Sequence, residues 1–474
     1  MKRLYIEQAR VCYLMGQGKL RIKLILRCFL FLFSVSCENF VDVDPPQSEL
    51  TGEVVFEDVA TANATLANIY AKLRDNALST GRPSGITYLI GLYADELNLA
   101  SFGGQAEPFN INALIPTDDL VTSLWSDAYN LIFETNAIIQ GVENSTTLSL
   151  EDKDQIKGEA LFLRAFLHFY LVNLFGDIPY ITTSDFRVNT VVSRIPAQEV
   201  YVQLISDLGE AKRLLPAEYV TGERIRANRA VASALLARIY LYTEEWEKTT
   251  EESTNLINNS GLFTLENDLN KVFLKDSGST IWQLKSIPGS NTNEGSTFIF
   301  ISAPPINASL NNALIDAFES GDQRQAQWTA NLSDGTNVFY FPFKYKEQFP
   351  TGSSLEYSIL FRLAEQYLIR AEARAQLGDI NGAQQDLNII RNRAGLGATP
   401  AATTSDLLDA ILQERQVELF TELGHRFFDL KRTGRIDTVL GPIKPGWDAT
   451  DVLLPIPESE ILVNPNLAPQ NPGY

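Results

Sequence analysis

The chain has 474 residues, of which 45% are hydrophobic and 20% are charged, and its formal net charge at pH 7 is -19. This composition is typical of a large globular protein and excludes collagen-like and wholly disordered chains. The excess of 58 acidic over 39 basic residues argues against nucleic acid as a partner, because phosphate binding requires a basic surface.

The few cysteines and histidines exclude most metal chemistry. The three cysteines, Cys12, Cys28 and Cys37, lie in the first 37 residues, and the chain has two histidines, His168 and His425. The sequence therefore predicts no disulfide framework, no thiolate or histidine metal site and no cofactor. A calcium ion bound by loop oxygens stays open, although no EF-hand spacing occurs.

Residues 1–36 have the layout of a secretory signal peptide, with seven basic side chains, one acid and an apolar run from Leu24 to Val35. That run is too short to cross a bilayer as a helix, which needs ~20 residues. It ends at "FSVSC", which resembles the lipobox of bacterial lipoproteins and predicts Cys37 as the lipidated first residue of the mature chain. An ordinary signal peptide, a buried strand and a translation start at Met15 are the alternatives.

Helical periodicity dominates after a tether at 37–50 that contains acids and two prolines. Asp58 is the predicted N-cap of the first helix, and Gly176 is the predicted end of the third. His168 lies between apolar residues of the third helix and is interpreted as a partly buried helix residue rather than a catalytic one. The predicted helices cover residues 57–78, 118–142, 153–175 and 196–215.

Two later segments, 227–258 and 362–395, each predict a pair of helices joined by a short turn. Alanines on these helices allow close approach, which is typical of tetratricopeptide-like units that bury their faces by stacking. The helices at 153–175 and 196–215 are predicted to form a further pair. The fold class is therefore mainly α, with an irregular helical bundle as the alternative.

Two long excursions interrupt the helical pattern, at residues 79–117 and at about 261–355. The second contains short aromatic runs with the composition of strands, namely "STIWQLKS", "STFIFISAPP" and "NVFYFPFKYK". Long loops on a rigid scaffold are the usual place for binding residues, so the excursions are the expected ligand site.

Several sequence blocks, in order along the chain, resemble the RagB/SusD family. They are "CENFVDVDPP", "GEALFLRAFLHFYLVNLFGDIPY", "SGDQRQAQW", "FRLAEQYLIRAEARAQLGDINGAQQDLNIIRNRAGL", "ERQVELFTELGHRFFDLKRTG" and "LLPIPESEILVNPNLAPQNPGY". The resemblance implies a SusD-like α–α superhelix and a surface-exposed outer-membrane lipoprotein without enzymatic activity. It also implies an oligosaccharide ligand, or a peptide in some members, and a SusC-like TonB-dependent transporter as partner.

The expected organisation has three parts: a lipoprotein signal peptide at 1–36, a lipidated flexible tether at 37–50 and a SusD-like domain at 51–474. Within the third part we expect helix pairs at 51–260, the loop- and β-rich excursion at about 261–355 and a C-terminal RagB/SusD part at 356–474.

Sugar recognition requires aromatic faces together with carboxylate, amide or guanidinium groups, and both excursions contain candidates. Trp328 lies among polar neighbours and is the leading candidate for an exposed platform, with an anchor into the helical core as the alternative. Asp95 and Glu96 are candidates for sugar hydroxyls, with a solvated charge pair at a helix end as the alternative. Asp322 and Arg324 are expected to form a structural salt bridge. The candidate ligand-binding residues are Asp95, Asn98 and Phe102 in the first excursion, with Gln105 nearby, and Arg324, Trp328 and Tyr340 in the second.

The segment "ERQVELFTELGHRFFDLKR" has charges at helical spacing and predicts an internal ion network of Glu414, Arg415, Glu418 and Arg426. Two other functional classes stay open: a tetratricopeptide scaffold that binds only proteins, and a glycoside hydrolase. The hydrolase is disfavoured, because nothing in the sequence places two carboxylates at catalytic separation.

Overall fold

Long helices form the scaffold of the protein, whose computed structural model describes residues 55–100 and 103–474. The described residues belong to one compact unit, Glu53–Tyr474. Short 3-10 turns occur at Ala449–Val452 and Pro465–Leu467. In chain order the helices are α1 (Val59–Asp75), α2 (Ile86–Tyr93), α3 (Glu107–Asn110), α4 (Asp119–Asn144), α5 (Leu150–Phe175), α6 (Phe186–Asn189), α7 (Ala197–Leu214), α8 (Arg229–Tyr242), α9 (Trp246–Ile257), α10 (Asn293–Phe298), α11 (Asn312–Asp316), α12 (Gln323–Trp328), α13 (Leu363–Gln376), α14 (Ile380–Arg393), α15 (Thr404–Leu419), α16 (His425–Arg432), α17 (Ile436–Leu440) and α18 (Glu458–Val463).

Local capping chemistry sets the ends of the predicted helices. The Asp58 carboxylate accepts hydrogen bonds from the backbone N–H groups of Ala60 (2.9 Å) and Thr61 (3.0 Å), which confirms it as the N-cap of α1. Gly176 ends α5 with a φ of +76°, and a Cβ atom there would lie 2.9 Å from Leu453 Cδ1. Both the backbone angle and the close packing therefore favour glycine at this position.

Helix α5 is the centre of the core and packs against α4 on one side and α7 on another. By length and composition it could cross a membrane, but it is enclosed by other elements of the described chain, as expected of an all-round apolar core helix. His168 on this helix is fully buried; its Nδ1–H donates to the Arg164 carbonyl (2.9 Å) and its Nε2 accepts from the Ile181 N–H (3.1 Å). Burial lowers its pKa to about 3, so the ring is neutral and structural, as predicted.

The predicted helix pairs are confirmed as α8 with α9, α13 with α14, and α5 with α7. Each pair also contacts the next, because α7 packs on α8, α9 on α13, and α13 on α15. This succession of neighbours is the stacked arrangement of tetratricopeptide-like repeats rather than an irregular bundle. Apolar clusters of the described residues all lie within Glu53–Tyr474, so a chain that begins at residue 53 contains the whole of this core.

The strands of the described residues form three small antiparallel ladders, β1 with β3, β2 with β6 and β4 with β5. The predicted strands in "STIWQLKS" and "NVFYFPFKYK" are confirmed as β2 and β5. The predicted strand in "STFIFISAPP" is wrong, because Thr292 caps a short helix there, α10, and its side chain accepts from the Gly295 N–H (3.0 Å). The strands are β1 (Leu97–Leu99), β2 (Thr280–Leu284), β3 (Ala308–Leu310), β4 (Thr329–Ser333), β5 (Val338–Pro342) and β6 (Ser358–Arg362).

Candidate functional site

The two excursions meet through the β1–β3 ladder, although these strands are more than 200 residues apart in the sequence. Asn98 pairs with Ser309, and Asn311 donates a hydrogen bond to the Asn98 side-chain oxygen across 213 positions (3.1 Å). The Ala100 N–H donates to the Asn307 carbonyl at 3.0 Å. The ladder therefore holds the two loop regions side by side.

A cavity of about 410 Å³ opens at this junction, and we call it the inter-excursion cavity. Its walls come from the first excursion, the start of α4 and the segment before β3. Its lining residues in the described chain are Arg82, Pro83, Ser84, Tyr88, Leu99, Gly104, Gln105, Ala106, Leu120, Ile306 and Asn307.

The "TGRPSG" turn, residues 80–85, is held rigidly and positions three of these side chains. A Cβ atom on Gly85 would lie 1.9 Å from the Thr80 carbonyl oxygen, and one on Gly81 would lie 2.2 Å from the Glu294 side chain. Only glycine fits such close approaches, so the turn is packed tightly against α10. The turn thereby presents Arg82, Pro83 and Ser84 towards the cavity.

Arg82 is exposed and forms no salt bridge with a residue in the described ranges. The charge of Arg82 contributes to lowering the pKa of Asp75, but Asp75 is paired with Arg74 instead. Because a guanidinium group carries five donors, Arg82 is available to bind acceptor oxygens of a ligand.

Tyr88 of α2 forms an aromatic part of the cavity wall and ties the two excursions together. Its ring stacks on Phe298 of α10, with 6.1 Å between centroids and 29° between planes. Burial raises the pKa of Tyr88 to about 12, so its phenol is neutral and can donate or accept a hydrogen bond.

The chemistry of the cavity suits a neutral, amphipathic ligand. Leu99, Leu120 and Ile306 give aliphatic surface, and Ile306 is 84% exposed. Gln105 and Asn307 add amides that both donate and accept hydrogen bonds. None of the described residues that line the cavity is Asp, Glu or His, so the wall lacks the carboxylate pair of glycoside hydrolysis.

Asp95 and Glu96 are not ligand groups, and this prediction is corrected. Both are buried, and Asp95 pairs with Arg426, whose Nη2 lies 2.8 Å from Asp95 Oδ2. Glu96 accepts from the Thr421 N–H (3.1 Å). Burial, and secondarily the charge of Asp95, raise the pKa of Glu96 to about 8. Because both side chains lie inside the fold, they position β1 rather than contact ligand.

Arg324 is also internal, and its prediction as a ligand residue is corrected. It is fully buried, with Asp322 at 2.7 Å, Glu414 at 2.7 Å and Glu418 at 2.9 Å. The expected Asp322–Arg324 salt bridge is therefore confirmed. The expected ion network of Glu414, Arg415, Glu418 and Arg426 is confirmed only in part, because Glu414 and Glu418 share Arg324, whereas Arg415 pairs with Asp429 and Arg426 pairs with Asp95.

Glu418 is the centre of what we call the Glu418 network. Arg324, Arg362 and Arg393 all contact its carboxylate. Burial opposes ionisation of Glu418, but these three guanidinium groups outweigh it and hold its pKa well below the ordinary value.

Trp328 is fully buried, so the prediction of an exposed platform is wrong and the alternative, an anchor into the core, is confirmed. Its indole N–H donates to the Leu269 carbonyl at 2.9 Å. Its ring meets Phe273 edge to face, with 5.5 Å between centroids, and the Lys344 ammonium lies 5.2 Å from the Trp328 ring. The polar neighbours in the sequence are therefore no guide to its exposure.

The other predicted residues lie on β1 and β5, outside the cavity lining, or outside the described chain. Asn98 is exposed on β1, next to Leu99 of the cavity wall. Tyr340 is half-buried on β5, where it pairs with Asn331, and β5 lies against β3. Phe102 and Cys37 fall outside the described residues.

Arg82, Ser84 and Asn307 of the cavity were not among the predicted ligand residues. The available signal was the Gly-Arg-Pro-Ser-Gly turn, whose composition predicts a tight loop that presents its central side chains. In the described part of the chain, no group of three or more His, Cys, Asp or Glu side chains is arranged to hold a metal ion.

Two family models match the chain and together cover more than half of it. Residues 39–241 match a model described as "Starch-binding associating with outer membrane", and residues 311–474 match the "SusD family" model. The chain belongs to the SusD/RagB family, and the family is associated with the outer membrane.

Individual relatives agree with this assignment. The chain is 28% identical over 516 residues to SusD-like protein P2 of Formosa agariphila, covering 94% of this chain and 98% of that protein. Its fold is similar to a SusD superfamily protein of Bacteroides vulgatus (TM-score 0.78, 23% identity, 88% of this chain and 99% of the other). It is also similar to surface glycan-binding protein A of Bacteroides thetaiotaomicron, solved with laminarihexaose (TM-score 0.73, 20% identity, 87% and 99%).

Proposed function

We propose that the protein is a surface glycan-binding lipoprotein that captures oligosaccharides in the inter-excursion cavity. The observation that carries this proposal is the position of the cavity, at the junction of both excursions on a SusD-family scaffold. Starch binding in the description of the matching family model, and the laminarihexaose complex of a protein with the same fold, support a glycan as the ligand.

The cavity chemistry supports the same ligand class. A sugar ring has an apolar face, for which Leu99 and Ile306 offer surface, and a rim of hydroxyl groups. Amides and a guanidinium group can bind such hydroxyls, and Gln105, Asn307 and Arg82 supply them. The protein acts by binding alone, because the described wall offers no acid and base for hydrolysis.

Delivery to a SusC-like TonB-dependent transporter completes the proposal. In this scheme Cys37 carries the lipid that anchors the protein in the outer membrane, residues 37–50 form the tether, and the domain at 51–474 faces the cell exterior. Replacing Cys37 with serine should release the protein from the membrane fraction of expressing cells. Co-purification of a barrel protein with the lipidated chain would support the transporter partnership, and its absence in mild detergent would contradict it.

Ligand binding is tested by calorimetric titration of residues 38–474 with maltohexaose, laminarihexaose, xylohexaose and a peptide mixture. We expect saturable binding of at least one oligosaccharide, weakened roughly ten-fold or more by Arg82→Ala together with Asn307→Ala, because each lost hydrogen bond contributes about 1 kcal/mol. Arg213→Ala, an exposed arginine on α7, is the matched control and should leave the affinity unchanged. Binding of peptides alone would contradict the glycan assignment.

A further inference from the structure

A second cavity lies on a different part of the scaffold and shares no lining residue with the inter-excursion cavity. It has a volume of about 320 Å³ and is enclosed by α4, the segment 179–192 and α18. We call it the α4 cavity. Its lining is mainly apolar but includes several amide and hydroxyl groups.

The sequence "LWSDAYNLIFE", residues 124–134, builds one wall of the α4 cavity. Trp125, Tyr129 and Phe133 recur every four residues, so helix geometry places them on one face. At 1.5 Å rise per residue the row extends roughly 12 Å along α4. Ser126 and Asn130 follow with the same spacing and place polar groups beside the aromatic row.

The inner part of this aromatic row is held in place by packing. Trp125 lies edge to face on Phe175 (5.0 Å between centroids, 90°) and contacts Tyr129 (4.8 Å between centroids). The Tyr129 hydroxyl donates to the Pro179 carbonyl at 2.9 Å. The rings are therefore fixed before any ligand binds, which reduces the entropic cost of binding.

Two phenylalanine side chains that line the cavity are exposed to solvent. Phe133 is 46% exposed and Phe186 is 69% exposed. Exposed aromatic side chains at the mouth of a cavity indicate a surface that a ligand or a partner protein covers.

The polar groups of the α4 cavity decide which occupant fits. The Asn189 Oδ1 atom is buried without a hydrogen-bond partner among the described residues, while its Nδ2 donates to the Thr183 carbonyl (2.8 Å). Because this Oδ1 atom has almost no accessible surface, the polar groups that a ligand can reach are the exposed Asn130 amide and the partly exposed Glu460 carboxylate. Glu460 is the single charged residue among the described lining, and its Oε1 accepts from Ser126 Oγ at 3.1 Å.

We infer that the α4 cavity is a second binding site that takes a neutral saccharide ring. The apolar face of the ring packs on Phe133 and Phe186, and its hydroxyl groups bind Asn130 and Glu460. A purely apolar side chain of another protein would cover Asn130 and Glu460 without replacing their hydrogen bonds to water, and an anionic ligand would be repelled by Glu460. The ligand class rests on the proposed function, but the site is separate from the inter-excursion cavity.

The test uses residues 38–474, titrated with maltohexaose, laminarihexaose and xylohexaose by calorimetry and by tryptophan fluorescence. Trp125 lines the α4 cavity, and no tryptophan is among the described residues that line the inter-excursion cavity, so fluorescence reports on the former. We expect two classes of sites. Phe133→Ala with Phe186→Ala should weaken one class about ten-fold or more and remove the fluorescence change.

Matched variants separate this inference from the proposed function. Arg82→Ala with Asn307→Ala should weaken the other class and keep the fluorescence change, and unchanged thermal unfolding would show that each variant is folded. A single class that responds only to the Arg82 and Asn307 substitutions would overturn the second site and leave the proposed function intact. A single class that responds only to the phenylalanine substitutions would support the α4 cavity and overturn the inter-excursion site. Absence of binding to any saccharide would overturn both.

Discussion

Arg82 and Arg324 lie in the two excursions of the same chain, but their surroundings differ completely. Arg82 is exposed at the rim of the inter-excursion cavity, without a salt bridge to a described residue. Arg324 is fully buried and contacts Asp322, Glu414 and Glu418. The first arginine is available to a ligand, and the second is committed to the core.

The difference shows how charge is used in this fold. The Glu418 network holds the second excursion against α15, because a buried carboxylate must be paired with cations to remain ionised. The inter-excursion cavity instead offers the neutral amides of Gln105 and Asn307, the Ser84 hydroxyl and the Arg82 guanidinium group. We therefore expect stability and binding to depend on separate residues, so that substitutions can test each alone.

The largest expected effect is loss of the central carboxylate of the network. Glu418→Gln leaves Arg324, Arg362 and Arg393 buried around a neutral group, and we expect the free energy of unfolding to fall by about 3–5 kcal/mol. Urea denaturation of residues 38–474 measures the change. The exposed carboxylate of Glu458 offers the control Glu458→Gln, which should change stability by less than about 0.5 kcal/mol. A similarly small change for Glu418→Gln would show that the network is not stabilising.

Trp328→Ala is expected to cost about 3 kcal/mol or more, because it empties a fully buried site and removes the hydrogen bond to Leu269. At denaturant concentrations below its unfolding transition, the variant should bind oligosaccharide with the affinity of the unsubstituted chain. Denaturation and calorimetry on the same sample measure both quantities. A large loss of affinity in a stable variant would place Trp328 in the binding site and contradict its role as an anchor.

Burial of Glu96 is expected to make the free energy of unfolding depend on pH, which an exposed carboxylate would not do. Burial, and then the charge of Asp95, raise its pKa to about 8, so the folded state binds a proton that the unfolded state has lost. Stability should therefore be fully present below the ordinary pKa of a glutamate and fall as pH rises towards 8, by up to about 1.4 kcal/mol per pH unit. Glu96→Gln should remove this part of the slope when unfolding is measured across pH 5–8. An unchanged slope would mean that Glu96 is ionised in the folded protein.

The smallest effect on stability is expected at the cavity itself. Arg82→Ala should change the free energy of unfolding by less than about 0.5 kcal/mol, because the side chain is exposed and lacks a salt bridge with described residues. Its effect should appear only in ligand affinity. Destabilisation by 2 kcal/mol or more would show that Arg82 belongs to the structural set, like Arg324.

The helices could be predicted because their determinants are local. Asp58 and Gly176 define helix ends through contacts within a few residues, and apolar periodicity marks the faces that pair. The Asp322–Arg324 salt bridge could also be predicted, because these opposite charges lie two positions apart. The partners of Glu418 could not, because Arg324, Arg362 and Arg393 lie 94, 56 and 25 positions away and the neighbouring Glu414 carries the same charge.

The cavity could not be predicted in the same way, because it depends on contacts across the chain. Asp95 is buried and pairs with Arg426, which lies 331 positions away, so the neighbours of Asp95 in the sequence do not show that it is internal. Pairing of β1 with β3 joins segments 213 positions apart and creates the cavity. The prediction for Trp328 is wrong for the same reason, because the cations that lie over its ring, Lys344, Arg362 and Arg393, come from other elements of the fold.

The central claim is that a glycan occupies the cavity between the two excursions. The most direct measurement is a crystal structure of residues 38–474 with the oligosaccharide that binds most tightly in the titrations. We predict electron density for the sugar in the inter-excursion cavity, within hydrogen-bonding distance of Arg82 and Asn307 and packed on Ile306. Density for the bound sugar elsewhere on the protein, with the inter-excursion cavity empty, would contradict the account.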